Sequence, residues 1–292
     1  MASQSSPPIR PLNVGDVVSA AISLFRTNFG TYIGLNLKSV LWFMVPVYGW
    51  ARGLMIQSQI ARLGFRELNR QPETVDQSLQ AIEPRLWTFL GIGLLVWLIQ
   101  AAVGYAVSFA MTIVTFPISI IGSAGGEAAA ALSALMLVVV QLVVLAAQLW
   151  IQARLYLWNL ILAMESEIES TTAINRSWEL TKGNGVRVLF SLLIAYLVML
   201  PLYALMIVIP VLIAIPFLGG LLESEAPSAA AVVGILLAVF VFLVLAIVVG
   251  IFTAPFFQTI KSVLYYDLRS RREGMDIQFR DRPRDQREPR DS

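Results

Sequence analysis

Neither cysteine nor histidine occurs anywhere in the 292 residues. Their absence removes disulfides, thiolate nucleophiles, Cys/His metal sites and imidazole acid–base catalysis together. Charge is the next shortage. Asp, Glu, Lys and Arg supply 14% of the chain and apolar residues 57%, whereas a soluble domain is about a quarter charged and about half apolar. Charges this sparse could not solvate the surface of a water-soluble fold of this length, so the missing solvent is lipid. Backbone groups in lipid must be satisfied within helices or a closed barrel. A barrel would alternate apolar and polar residues over segments of about ten. This chain has long unbroken apolar runs, and helices are expected.

Residues 86–126, 128–153, 188–222 and 226–260 carry no charge at all, and each exceeds the roughly 20 residues that a bilayer crossing takes. Three exceed it widely and must tilt, kink or project beyond the hydrocarbon. Pro201, Pro210, Pro216 and Pro255 are the expected break or kink points. Loops are expected at 122–127 and 219–228, each closing a hairpin. Those loops hold Glu127, Glu223 and Glu225 and no Lys or Arg. Residues 52–85 and 154–187 and the tail from Lys261, with Arg10 and Arg26, hold all but one of the 21 basic residues; the exception is Lys38. The basic segments are therefore expected in the cytoplasm.

One crossing between residues 31 and 56 would leave Arg10 and Arg26 outside. Residues 31–45 can instead form one segment, Pro46 a turn and 48–63 the return. Arg52, Gln57, Gln59 and Arg62 make the return segment one that packs against protein rather than lipid. The expectation is an all-α integral membrane protein of about six transmembrane helices arranged as three hairpins, with both termini cytoplasmic. Five helices plus an interfacial one is the alternative. A short amphipathic stretch precedes each hairpin, at 14–28, 75–83 and 171–181. With the likeness of Met44-Val45-Pro46-Val47-Tyr48 to Met199-Leu200-Pro201-Leu202-Tyr203, this suggests a threefold repeat of interfacial helix plus hairpin. Residues 13–277 form one polytopic domain between a disordered N-terminus, 1–12, and a disordered charged tail, 278–292. The N-terminal residues lack the apolar core of a cleavable signal peptide, so the first membrane segment is expected to act as its own insertion signal.

The stretch 171–182 is the most informative local pattern. Ser170 or Thr171 can cap it. Ile174, Trp178 and Thr181 share a face, Asn175, Arg176 and Glu179 point away, and Gly183 permits a left-handed C-cap beside Lys182. Such a helix lies in the headgroup layer with Trp178 as anchor. Arg176 and Lys182 then form a lipid-headgroup site, the plainer reading being a helix that only sets the hairpin's depth. In residues 14–28 the apolar stripe is Val17, Ala21, Leu24 and Phe25. After the last run, Asp267 with Arg271 and Arg269 with Glu273 make i,i+4 pairs that carry a helix into water until Gly274 ends it. Asp267 could instead pair with Arg154 or Arg176 and tie two hairpins together.

The set Leu24-Phe25-Arg26-Thr27-Asn28-Phe29, Arg176-Ser177-Trp178-Glu179-Leu180-Thr181-Lys182-Gly183 and Tyr265-Tyr266-Asp267-Leu268-Arg269 with Glu273-Gly274-Met275-Asp276 resembles a prokaryotic family. It is the one named for the membrane domain of glycerophosphoryl diester phosphodiesterase, with related families of unknown function. The likeness covers roughly residues 12–277. It implies a membrane module rather than an esterase, because the chain has no soluble stretch long enough for the phosphodiesterase domain and none of that domain's histidines.

Lys38 is the candidate intramembrane charge, and snorkelling to the interface is its plainer role. Gln100, Gln141, Gln148 and Gln152 are expected to join helices by hydrogen bonds. Carboxylates or Ser/Lys pairs do not converge in any pattern that suggests catalysis. A non-catalytic membrane protein is therefore expected, without metal or cofactor. It would bind membrane lipids, anionic ones included, or organise protein partners at its cytoplasmic face, through a belt of Arg176, Trp178, Lys182, Asp267 and Arg269. Acids interleaved with the arginines of the tail argue against nucleic acid as a partner. A transporter or lipid-translocating protein is the alternative, resting on the proline-rich run 188–222 and the short first hairpin.

Overall fold

The computed structural model describes residues 13–165, 170–222 and 228–280, and the regular elements among them are all helical. In chain order they are α1 (Val14–Thr27), α2 (Phe29–Phe43), α3 (Tyr48–Leu68), α4 (Val75–Ile82), α5 (Leu86–Ala124), α6 (Gly126–Leu155), α7 (Trp158–Met164), α8 (Ser170–Thr181), α9 (Gly185–Leu222) and α10 (Ala229–Arg280). Four stretches are long and apolar enough to cross a membrane: Val75–Ala124, Gly126–Met164, Gly185–Gly219 and Ala229–Arg271. Their large side chains face outward, as Phe109, Leu142, Leu197 and Phe240 do. Continuous apolar exposure on that scale is what lipid, not water, stabilises. The chain is a multi-pass membrane protein.

The packed core sits at one end of these rods. It joins Val17 and Ala21 of α1, Met55 and Phe65 of α3 and Phe89 and Ile92 of α5 to nearly all of α7. Val188, Leu192 and Ala195 of α9 and residues 256–268 of α10 complete it. α1 is therefore not a helix lying only on lipid: Val17, Ala21 and Leu24 are buried, Phe25 meets Phe256 edge-on, and Thr259 Oγ1 donates to the Ala21 carbonyl. α4 forms as expected, with the Gln77 N–H donating to Thr74 Oγ1 at 3.2 Å.

The prolines do not break helices. α9 runs through Pro201, Pro210 and Pro216, α10 through Pro255 and α5 through Pro117. Pro46, by contrast, lies in the turn between α2 and α3, where Val47 takes a φ of 62°. The resemblance of residues 44–48 to 199–203 therefore joins a turn to the middle of a helix and marks no structural repeat. The expected loop 122–127 shrinks to Gly125, with Gly126 at φ 79°, a conformation glycine reaches without a Cβ penalty. Residues 223–227, with Glu223 and Glu225, lie outside the described part, as do 1–12, 166–169 and 281–292. α10 continues past Gly274 to Arg280, so no end is set at that glycine and the helix enters the segment expected to be a disordered tail.

The first hairpin forms but is short. α2 has 15 residues, fewer than a crossing takes, and α3 carries too many polar groups to count as a span. Asn36 reaches the Gly250 and Ile251 carbonyls. Eight residues on, at Met44, α2 has advanced only about 12 Å further, while α10 extends roughly 30 Å from Gly250 back to Ala229. The hairpin thus accompanies α10 over part of its length. Its two helices touch closely: a Cβ on Gly53 would stand 2.8 Å from the Phe43 ring, and Ser39 Oγ donates to the Gly53 carbonyl at 3.0 Å. Trp50 closes the tip by donating to the Phe43 carbonyl.

Candidate functional site

α8 packs on α7 and on the end of α6 at the packed end of the molecule. α8 turns Ala173, Ser177, Leu180 and Thr181 inward; of the expected face, Thr181 is buried and Ile174 packs on the core, while Trp178 stays outside. Trp178 is 45% exposed because Ser177 occupies the inner position. There Ser177 Oγ donates to the Arg154 carbonyl at 2.8 Å and accepts from Leu157 N–H at 3.3 Å. One hydroxyl thus bridges the interruption between α6 and α7. Arg154 lies between two tryptophans, 4.9 Å from the Trp150 ring and 5.2 Å from that of Trp178, cation–π distances at which a guanidinium stacks. Gly183 has a φ of 82°, so the left-handed C-cap forms. Both candidate capping residues, Ser170 and Thr171, lie inside α8, and the preceding residues 166–169 fall outside the described part.

The expected belt divides into two sets. Lys182 is exposed, and among the described residues its ammonium makes no hydrogen bond or ion pair. Arg176 is 37% exposed and shares its charge with Glu165 at 3.7 Å and Glu179 at 4.0 Å. Asp267 is buried, 2% exposed, between Arg187 at 3.0 Å and Arg271 at 3.1 Å. The expected i,i+4 pair to Arg271 is present. Its other partner is Arg187 rather than Arg154 or Arg176, so the pair closes the α9–α10 hairpin on itself instead of tying two hairpins together. Arg187 stands in the first turns of α9, the stretch of chain that packs on this part of α10. Arg269 is half-buried and engaged in contacts; its expected partner Glu273 lies outside the described side chains. Asp267 therefore holds α9 to α10, while Arg154, Arg176, Trp178 and Lys182 present charge and an aromatic edge outward.

Two arginines absent from the expected belt close α7. Arg62, 8% exposed, donates to the Ala163 carbonyl while binding Glu73 at 2.8 Å through two nitrogens. Arg85 donates to the Leu162 and Glu165 carbonyls at 2.8 and 2.7 Å. Cations at the last carbonyls of a helix complement its dipole. Glu165 itself accepts from Tyr265 Oη at 3.0 Å.

A chain of amides runs inward from there. Lys261 Nζ donates to Asn159 Oδ1 at 3.0 Å and sits 4.8 Å from the Tyr156 ring. Asn159 donates to Gln258 and Gln258 to Gln57, each at 3.2 Å, and Gln57 donates to Asn36. Asn36 in turn donates to Ile251 O at 2.9 Å. That carbonyl lost its helical donor because Pro255, four residues on, has no N–H. The chain links α2, α3, α7 and α10. Lys261, read from the sequence as the start of the tail, is thus drawn into the fold with no carboxylate at ion-pairing distance among the described residues. Lys38, the expected intramembrane charge, is exposed on α2. Gln100, Gln148 and Gln152 do line one cleft of about 320 Å³ between α5 and α6, but no hydrogen bond joins them; Gln141 is exposed. In the sequence the amides at 36, 57, 159 and 258 are only scattered polar residues. No local pattern marks them, since each belongs to a different helix.

Comparison with protein-family models, with curated proteins and with solved structures yields no match for this chain.

Proposed function

We propose that the protein is a non-catalytic module of a prokaryotic plasma membrane that binds anionic lipid headgroups through its cytoplasmic interfacial face. The observation that carries this reading is the exposed Trp178 stacked beside Arg154, one helical turn before a Lys182 whose ammonium has no partner among the described residues. An aromatic edge with two cations at the rim of apolar spans suits a phosphate layer. The orientation rests on the basic residues of segments 52–85, 154–187 and the tail. In this reading the α2–α3 hairpin dips into the cytoplasmic leaflet as the third membrane pair, and the likeness to the phosphodiesterase membrane-domain family concerns this module alone. Arg176→Ala with Lys182→Ala should lower retention of phosphatidylglycerol, relative to phosphatidylcholine, by tenfold or more, since each basic residue near an anionic surface contributes about 1 kcal/mol. Unchanged retention by native mass spectrometry would sink the proposal. Single cysteines at Ser123 and Ser270, in a chain with no other cysteine, should label with an impermeant maleimide from opposite sides.

Translocation is the second reading, and the amide chain ending at Lys261 favours it, because a buried ionisable group within a membrane helix commonly marks a transport path. Flux in proteoliposomes that vanishes in Lys261→Met would support it, and flux indifferent to that change would remove its basis.

A further inference from the structure

A cleft of about 440 Å³ opens at the foot of α2, far along the chain from the α8 face, and is lined by Asn28, Tyr32, Leu63, Glu67, Glu73 and Thr74 among others. Its two carboxylates are not equivalent. Glu73 is neutralised twice, by Arg62 and by Arg66, each at 2.8 Å. Glu67 receives only the neutral Asn28 side-chain N–H, at 2.5 Å, and among the described residues no Lys or Arg lies within ion-pairing distance of it. Tyr32 adds an independent mark. Its side chain is 1% exposed, and its hydroxyl has no hydrogen-bond partner among the described residues. Buried hydroxyls are nearly always paired, and an orphan is costly.

An unneutralised carboxylate and an unpaired phenol on the wall of one cleft call for the same complement, a cationic group that donates hydrogen bonds. We propose that this cleft binds a primary ammonium group, with Glu67 as its countercharge and Tyr32 Oη as a further acceptor. An anion would meet Glu67 unfavourably. A quaternary ammonium has no N–H to offer Tyr32 and favours a cage of several aromatic faces, whereas a primary ammonium brings three donors. Two sources supply that chemistry. The apolar face of α2 runs from the cleft through Leu37 and Leu41, 45% and 58% exposed, a surface on which acyl chains can lie, so the headgroup of an aminophospholipid fits. A small soluble amine is the other source. The site is independent of the cationic face on α8 and uses a different lipid charge class.

The test uses the purified full chain, native mass spectrometry against equal phosphatidylethanolamine and phosphatidylcholine, and melting curves with free ethanolamine. The expected result is preferential retention of phosphatidylethanolamine. That preference should fall about tenfold in Glu67→Gln and severalfold in Tyr32→Phe, the losses expected for a charged and a neutral hydrogen bond. Glu67→Gln keeps an acceptor for Asn28, and Tyr32→Phe removes a hydroxyl the fold leaves unpaired, so both variants should melt with the parent when no amine is present. Stabilisation by ethanolamine that both variants abolish, without a lipid preference, also supports the site and assigns a soluble amine. Equal retention of the two lipids together with no response to ethanolamine overturns the proposal. So does a lipid preference that neither variant alters.

Discussion

Leu142 of α6 and Leu160 of α7 belong to one nearly continuous rod, yet the first is 59% exposed and the second fully buried. The apolar window of α6 buries nothing against the rest of the protein, whereas five of the seven residues of α7 are buried. Leucine at 142 is there because the solvent is hydrocarbon; leucine at 160 is there because its neighbours must fit it. The rods and the packed end thus obey different selection. Lipid tolerates any apolar shape, while a close-packed interior does not.

Ways to break that contrast can be ranked by expected effect. The largest belongs to Asp267→Ala, which leaves Arg187 and Arg271 facing each other without their shared carboxylate. A loss of about 4 kcal/mol is expected for breaking a buried pair from one side, visible as a lower melting temperature in detergent. A loss below about 1 kcal/mol would mean that water already reaches the site. Next comes the leucine pair itself. Leu160→Ala should cost about 3 kcal/mol, and Leu142→Ala no more than about 0.5 kcal/mol; equal costs would show that the rods pack on something as specific as the core. Gly53→Ala drives a methyl into the Phe43 ring, an overpacking worth about 1–3 kcal/mol, which should shift Trp50 fluorescence as the tip opens. Finally, Asn36→Ala should cost about 1–2 kcal/mol by stranding the Ile251 carbonyl. That cost should shrink in a Pro255→Ala background, where the helix supplies its own N–H. A double-mutant cycle that adds without coupling would contradict the link between the two residues.

How far the chain could be read from its letters follows the same divide. The spans at 86–126, 128–153, 188–222 and 226–260 are legible because charge is excluded over whole segments, a signal that needs no partner. The helices before each hairpin are legible from their spacing and from Gly183. What could not be read is which groups meet. Asp267 has three arginines in the second basic segment to choose from, and Arg187 wins because α9 starts alongside the last turns of α10. Trp178 and Ser177 are adjacent, and a rotation of one position decides which faces the core; Ser177 does so because a small hydroxyl fits the break after Arg154 and an indole does not. The amides of 36, 57, 159 and 258 are brought together only by tertiary contact. Pro255 held the one hint: a proline within a span frees a carbonyl that some other helix must satisfy.

α10 is a single helix of 52 residues, about 78 Å at 1.5 Å per residue, or more than twice the hydrocarbon thickness. It is held near its middle, where Thr259 is bonded to α1 and Ser262 to the Ala61 carbonyl of α3. A rod pinned there is a lever. Bilayer thickness acts on the arm in lipid through tilt, and the other arm, beyond the packed stretch that ends at Leu268, is about 18 Å long to Arg280. Ten degrees of tilt about that packed stretch moves the far end by about 3 Å, so the geometry converts membrane thickness into displacement of the helix end.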